Sequence, residues 1–299
     1  MSNPKMKKYS LILFFSILLM ACGTQKKLIQ TRNTANQYYY QKQYDSAYAN
    51  YQRLIDTYEA KNMPPDAEIY AAAGKSLFYA GQKAKGIEYL NTAEQHGFED
   101  EQSLFIKISY YQSIDNLSKE ITTLEKYVRQ YPDGPNIKEV YRRCFITGWQ
   151  SKNYQSSLTY YNKLSTEDKN KKENLEIAYN LYQKIGSNDD ANTIAEKLYQ
   201  LDSENLIGLN YKALSTYNEV EKEYVAAIKA YEAKKTNSSY KIMRTKVQAL
   251  APKYRQARDL YLKLYNKYKR PGDAAYLARI YTRLNDPQTA KKYDNLSKK

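Results

Sequence analysis

The chain has very little of the residues from which most catalytic and metal sites are built. Its 299 residues include one His, 2 Cys and 10 Gly. Two cysteines cannot form a disulfide framework or a cysteine-rich zinc site, and one histidine excludes metal motifs that need a pair. The few glycines leave little room for loops that bind phosphate groups. We therefore expect no enzyme activity and no catalytic, cofactor-binding or metal-binding residues.

Tyrosine and positive charge are abundant instead. The chain has 34 Tyr but 6 Phe and 1 Trp, and its 47 basic and 32 acidic side chains give a formal net charge of +15. Hydrophobic residues make up 42% and charged residues 26%, which is typical of a folded globular protein. The excess of Lys and Arg favours partners that are acidic or neutral.

The first residues of the chain are typical of an export signal. Lys5, Lys7 and Lys8 precede an apolar run over residues 11–20. A helix that spans a membrane needs about 20 apolar residues, so a run of about half that length indicates a signal peptide.

The signal ends in Ala21-Cys22-Gly23, which resembles the lipobox of bacterial lipoproteins. In that family the signal is cleaved before the cysteine, and the cysteine carries the lipid. The resemblance implies a signal peptide over residues 1–21, followed by a lipidated Cys22 and tether over residues 22–30. Several acyl chains on one cysteine would hold the protein at a membrane. The alternative is an ordinary signal followed by a buried cysteine.

The residues after the cysteine bear on where such a lipoprotein would lie. Bacterial lipoproteins that stay at the inner membrane often have Asp at the position of Gly23, and surface-displayed ones often have acidic residues where residues 24–27 stand. The resemblance therefore implies a protein of the cell envelope, lipid-anchored to the outer membrane and facing the periplasm. An exported protein meets no genome, so we expect no nucleic-acid partner.

A short helical phrase recurs through the rest of the chain. In its best copies a Tyr is followed three residues later by a small residue and four residues after that by a second Tyr, so that all three share one helix face. Successive phrases are 30 to 39 residues apart. The phrases are Tyr44-Ala47-Tyr51, Lys83-Gly86-Leu90, Leu117-Glu120-Leu124, Tyr154-Ser157-Tyr161, Asn188-Ala191-Ala195, Tyr224-Ala227-Tyr231, Tyr254-Ala257-Tyr261 and Pro287-Ala290-Asp294.

One copy carries a fuller pattern of large and small residues. It consists of Tyr70, Ala73, Gly74, Leu77, Gly81, Gly86, Ile87, Leu90 and Ala93. These residues resemble the tetratricopeptide repeat (TPR), a unit of about 34 residues that forms two helices. The resemblance implies an all-α fold over residues 31–299, a right-handed α-solenoid of about eight degenerate TPR-like helix pairs that stabilise one another by stacking. A generic helical bundle is the alternative.

Three short features imitate functional sites. The run Gly74–Ser76 matches the end of a phosphate-binding loop, but Ile69 stands where that motif needs glycine, so we interpret the glycine as a helix-packing residue. Cys144 lies in a predicted helix and is expected to be a small buried hydrophobic residue rather than a reactive thiol. His96 precedes Gly97, a pattern that predicts the end of a helix.

Two pairs of adjacent acidic residues could be taken for acid–base dyads. They are Glu99-Asp100 and Asp189-Asp190. Both fall where turns between helices are expected, so we predict solvated turns without a catalytic role.

The TPR resemblance also raises the question of how a partner would bind. One TPR mode clamps a C-terminal carboxylate with Asn, Lys and Arg on the first helix of each pair. Arg32, Asn33 and Asn36 lie near such positions, but the second repeat supplies only Lys75, so we predict no carboxylate clamp.

A broader groove contact is the expectation that remains. Tyr39, Tyr110 and Tyr182 are candidates to line it, with basic side chains around them. The function implied is a non-catalytic scaffold that binds envelope proteins or peptides while its lipid holds it at the membrane. The chain resembles the TPR lipoprotein of the β-barrel assembly machine. The alternatives are the TPR lipoproteins of type IX secretion and gliding, and an accessory protein of an envelope enzyme.

Overall fold

A computed structural model describes residues 25–298, in which helices are joined by turns and there is no strand. Contacts divide the chain into two compact units, one ending at Thr147 and the other beginning at Gly148. Within the described residues no helix is both long and apolar enough to cross a membrane. The expected signal peptide and Cys22 lie outside the described residues.

The first unit, unit 1, consists of helices joined by short turns. Its helices are α1 (residues 25–40), α2 (Tyr44–Glu59), α3 (Ala67–Tyr79), α4 (Lys83–Gln95), α5 (Glu101–Ser113), α6 (Leu117–Gln130) and most of α7 (Ile137–Gln150). Because α1 begins by residue 25, it includes part of the segment expected to be a tether. Leu28 of α1 packs against the core formed by α1, α2 and α3.

The second unit, unit 2, is also entirely helical in its described part. It contains the end of α7, then α8 (Tyr154–Lys163), the one-turn α9 (Thr166–Lys169), α10 (Lys172–Lys184), α11 (Asn188–Leu201), α12 (Leu206–Ala233), α13 (Asn237–Ala249), α14 (Ala251–Tyr268), α15 (Pro271–Arg283) and α16 (Pro287–Ser297). One large core joins α12, α14, α15 and α16.

An identical kind of turn recurs within the helix pairs. In each case one residue with positive φ follows the first helix, which allows the chain to reverse within three residues. These residues are Lys42, Gly81, Asp115, Lys152, Gly186 and Asn285. The next amide then donates to the first helix in most of these turns, as Gln82 does to the carbonyl of Leu77 at 2.9 Å. Recurrence of one turn geometry defines a repeat of antiparallel helix pairs, so the predicted all-α TPR-like array is confirmed.

The small residue of each phrase marks where helices cross closely. The central residues are all buried: Ala47, Gly86, Glu120, Ser157, Ala191, Ala227, Ala257 and Ala290. One close crossing joins α3 to α4, where a Cβ added to Gly74 would lie 2.8 Å from the carbonyl oxygen of Gly86. No side chain can be placed there without moving a backbone, which explains both glycines.

The Tyr224 phrase departs from the predicted pattern. The other phrases lie at or near the start of the second helix of a pair, but this one lies inside α12, which continues for 28 residues without a turn. The first half of α12 packs on α14, through residues such as Tyr217 and Tyr261. Its second half and α13 form an extra antiparallel pair over residues 221–249, called here the 221–249 hairpin. The hairpin therefore lengthens the spacing between repeats at this point. The next phrase that lies in a packed second helix begins at Tyr254, about two repeat lengths after Asn188.

Candidate functional site

A cluster of tyrosines joins the first helices of three successive pairs in unit 1. The side-chain amide of Gln102, in α5, donates to the hydroxyl of Tyr39 in α1 at 3.0 Å and to that of Tyr79 in α3 at 3.3 Å. Tyr44, at the start of α2, stacks on Tyr79 with ring centroids 5.2 Å apart. The first helices thus meet at a shared aromatic surface.

Part of this tyrosine cluster is open to solvent. Tyr40 is 83% exposed, and its ring lies edge-on to Tyr39 at 6.2 Å. Tyr79 is 42% exposed. Burial raises the pKa of Tyr39, and so does the neighbouring Tyr79, so the phenol stays neutral and keeps its proton for hydrogen bonding. The cluster offers a partner aromatic faces, hydroxyl groups and an amide.

The residues considered for a carboxylate clamp are held by other contacts. Arg32 pairs with Glu68 at 2.6 Å and with Asp66 at 3.4 Å. Asn36 accepts a hydrogen bond from the hydroxyl of Tyr51 at 2.6 Å. Lys75 pairs with Asp100 at 2.5 Å. Three of the four residues are thus already engaged in intramolecular contacts, whereas Asn33 is exposed.

The two other candidate groove tyrosines are packing residues. Tyr110 lies edge-on to Tyr111 at 5.7 Å and packs against the core of α4 and α5. Tyr182, in unit 2, lies edge-on to Tyr161 at 6.0 Å. Both are half-buried, and neither belongs to the tyrosine cluster of unit 1.

A second concentration of polar groups lines a cavity of about 420 Å³ against α4, α5 and α6. The ammonium group of Lys107, a side chain that is 4% exposed, lies 2.6 Å from Glu94 and 2.7 Å from Glu99. Lys126 contacts the same two carboxylates. These four charges cancel within the cluster. Lys119 also lines the cavity, and its ammonium group lies over the ring of Tyr111 at 5.5 Å.

Two carboxyl groups of unit 1 have a lowered pKa. Burial alone would raise the pKa of Glu94, but hydrogen bonds from Lys107 and Lys126 lower it from 4.5 to about 2. The pKa of Asp100 is lowered against the effect of burial by Lys75 and Ser103. A carboxyl group of this kind stabilises the fold above its unfolded pKa and loses that contribution as the pH falls towards the folded value.

The structure supports a packing role for the three features that imitate functional sites. Gly74 lies in the close crossing of α3 and α4. His96 follows the last residue of α4, stacks on Tyr70 at 5.7 Å and precedes Gly97, which has a φ of +86°. Cys144 is buried, as expected.

The prediction for the two acidic pairs is partly wrong. Glu99 is not solvated, because its side chain is buried in the ion cluster with Lys107 and Lys126. Asp189 and Asp190 lie in the first turn of α11 rather than in a loop, and Asp190 accepts a hydrogen bond from Ser187 at 2.6 Å. Negative charge in a first turn is favoured by the helix dipole.

Only part of the tyrosine cluster could be predicted from the sequence. The run of three tyrosines that ends at Tyr40 marks the end of α1, but nothing local indicates that Gln102, 63 residues after Tyr39, would bind it. Among residues 25–298 there is also no group of three or more His, Cys, Asp and Glu side chains that could hold a metal ion.

No protein-family model matches this chain, and no curated protein matches it in sequence. Several solved structures have a similar arrangement of helices. One is YrrB, described as a TPR protein with an unusual peptide-binding site. It is 14% identical, with a TM-score of 0.49 over 65% of this chain and 96% of its own.

Two further similar structures are bacterial proteins from Bacteroides ovatus and Parabacteroides merdae. A putative protein-binding protein from Bacteroides ovatus is 17% identical, with a TM-score of 0.43 over 74% of this chain and 100% of its own. A tetratricopeptide repeat protein from Parabacteroides merdae is 11% identical, with a TM-score of 0.45 over 92% and 100%. The similarity concerns the fold, and the TPR-like repeat of this chain rests on its own turns and helix crossings.

Proposed function

We propose that this protein is a lipid-anchored scaffold of the bacterial cell envelope that binds other proteins through the tyrosine cluster of unit 1. The observation that carries the proposal is the exposure of Tyr40 and Tyr79 on a rigid hydrogen-bonded base. Tyrosine is enriched among the residues that dominate binding energy, and a base that is already ordered lowers the entropy cost of binding.

The contacts within the cluster favour a peptide or protein segment as the partner. Tyr39 and Gln102 fix one another, so Tyr40 and Tyr79 project from a surface that needs no rearrangement. Arg32 and Lys75 are already paired with carboxylates, which favours contacts made by aromatic rings and hydrogen bonds over capture of a free carboxylate. In place of the broader groove expected from the sequence, we propose the tyrosine cluster as the binding surface.

The place in the cell rests on the resemblance of Ala21-Cys22-Gly23 to a lipobox. We propose that Cys22 is lipidated and that the protein faces the periplasm from the outer membrane. Such a scaffold fits a role in the assembly of outer-membrane proteins, and it also fits a role in type IX secretion or gliding. The two machines have different component proteins, so the partner would distinguish them. A role as accessory to an envelope enzyme is the third candidate.

Site-specific crosslinking in cells tests the binding surface. A photoreactive amino acid replaces Tyr40, and the matched control replaces Leu201, an exposed apolar residue of unit 2. We expect an adduct with an envelope protein from position 40 that is absent from position 201, and Tyr79→Ala should reduce its yield. Mass spectrometry of the adduct separates barrel-assembly from secretion components. Adducts of equal yield and composition at both positions would contradict the proposal.

Replacement of Cys22 tests the anchor separately. Cys22→Ser should abolish incorporation of labelled fatty acid and prevent cleavage of the signal, whereas Cys144→Ser, which alters the buried cysteine, should leave both unchanged. If the wild-type chain takes up no lipid label, the lipid anchor is wrong, but the adduct at Tyr40 remains interpretable.

A further inference from the structure

The 221–249 hairpin adds almost nothing to the core of unit 2. Ala227 is the only buried residue in this range, and α13 contains no buried side chain. A helix of the same length within the repeat, α4, buries four residues. A pair of helices that costs conformational entropy without adding a core is expected to be retained for its surface.

The surface of the hairpin is strongly basic. Between residues 225 and 249 the only acidic residue is Glu232, whereas the basic residues are Lys229, Lys234, Lys235, Lys241, Arg244 and Lys246. None of these six forms an ion pair with any described residue. By contrast, Lys107 and Lys126 in unit 1 are neutralised by neighbouring carboxylates.

Four of these cations surround the tip of the hairpin rather than covering one side: Lys229, Lys234, Lys235 and Lys241. Arg244 and Lys246 lie further along α13, and Lys246 is in its last turn. Lys234 and Lys235 lie in the turn. Lys229 follows the buried Ala227 by two residues, about 200° around the helix, and therefore lies on the side of α12 that faces away from α13. Lys241 precedes the half-buried Met243 by two residues and lies on the outer side of α13 for the same reason.

Aromatic and apolar groups lie at the same level as the cations. The rings of Tyr231 and Tyr240 meet edge-on at 5.8 Å, and Tyr240 is 47% exposed. Ile242 is 55% exposed. All three lie within about two helical turns of the tip, or about 11 Å, which is comparable to the depth of the interfacial layer of a bilayer.

We propose that the tip of the 221–249 hairpin binds the surface of an anionic phospholipid membrane, with Tyr240 and Ile242 in the interfacial layer and the lysines on phosphate headgroups. Tyrosine is favoured at this level of a bilayer, and lysine is attracted by anionic lipids. An acidic protein that docked on one side of the hairpin would contact only the cations on that side. When the tip enters the surface of a membrane, lipid headgroups surround it and contact the cations on every side. A membrane therefore matches the distribution of the cations better than an acidic protein does.

A fluorescent probe at the tip of the full-length protein tests this contact. The probe is attached to Asn237→Cys, an exposed residue at the start of α13, and the matched control is Ser203→Cys, an exposed residue between α11 and α12. The parent chain gives the background labelling. Each protein is reconstituted into vesicles of phosphatidylcholine alone or of phosphatidylcholine with phosphatidylglycerol, both containing a lipid-borne quencher.

We expect quenching and a blue shift at position 237 in the anionic vesicles, loss of both in neutral vesicles, and no difference at position 203. The double variant Lys234→Glu/Lys235→Glu should abolish the effect at position 237. Equal signals at position 237 in the two kinds of vesicle, or a signal that survives the double charge reversal, would overturn the proposal. Because the comparison is between lipid compositions, the result does not depend on lipidation of Cys22 or on the partner of Tyr40.

Discussion

At the scale of single residues, Glu120 shows how a degenerate repeat keeps its close packing. It occupies a position that holds Ala, Gly or Ser in every other phrase, and its side chain is 3% exposed. Arg143, in α7, compensates for the buried carboxylate through its Nε at 2.7 Å. Buried charges are tolerated when they are paired and hydrogen-bonded in this way.

Removal of Glu120 should therefore destabilise unit 1 strongly. Glu120→Ala leaves the guanidinium of Arg143 buried without its partner, and we expect the free energy of unfolding to fall by about 3–5 kcal/mol in urea titrations. The double variant Glu120→Ala/Arg143→Met should recover most of this loss. The control Glu139→Ala alters a partly exposed pair within α7 and should change stability by less than about 1 kcal/mol. A single variant as stable as the wild type would refute a structural role for the pair.

The sequence predicted that position 120 faces the core but did not predict its partner. The steps of three and four residues place Glu120 on the buried face of α6, because helical periodicity is a local property. Arg143 is 23 residues away, and its pairing depends on how α7 packs against α6. The same limit applies to Glu99, whose burial depends on Lys107 and Lys126 rather than on its own turn.

At the scale of helices, turns and crossings were predictable where glycine occupies them. Gly81 and Gly186 indicate left-handed turns, but Lys42, Asp115 and Lys152 adopt the same conformation without that signal. The packing of the two flanking helices requires a positive φ at these residues, a backbone conformation that they adopt less readily than glycine does. The length of α12 was predictable in principle, because residues 217–223 contain neither Gly nor Pro.

The close crossing of α3 and α4 can be tested with a single methyl group. A Cβ at Gly86 would lie 2.7 Å from the carbonyl oxygen of Gly74 and 2.8 Å from the amide of Phe78, so Gly86→Ala must separate the helices. We expect a loss of about 1–3 kcal/mol, measured as a lower urea midpoint.

Gly272→Ala is the matched control for this crossing. Gly272 is also helical, in α15, but a Cβ there meets nothing within 4 Å. Since alanine favours helix over glycine, the control should be neutral or slightly stabilising. Equal destabilisation by both substitutions would show that the crossing is not what requires Gly86.

At the scale of the whole chain, the formal net charge is +15. Some basic side chains are paired with carboxylates, and others form no ion pair with a described residue. Near the tyrosine cluster, Arg32 and Lys75 are matched by carboxylates. At the tip of the 221–249 hairpin, Lys234 and Lys235 form no ion pair with described residues. Composition alone predicted acidic or neutral partners for the protein as a whole, and it could not separate an aromatic surface from a tip whose lysines form no ion pair with described residues.

The two proposed surfaces should therefore respond differently to salt. Screening shortens the range of charge interactions from about 10 Å at 0.1 M salt to about 3 Å at 1 M. Over that range we expect the membrane-dependent quenching at position 237 to be lost, because it depends on unpaired lysines. The crosslink from position 40, measured in cell-envelope preparations, should keep about half or more of its yield, because ring contacts and neutral hydrogen bonds are weakly screened. Equal losses at both positions would show that charge dominates both contacts and that the tyrosines of unit 1 are not the principal source of binding energy.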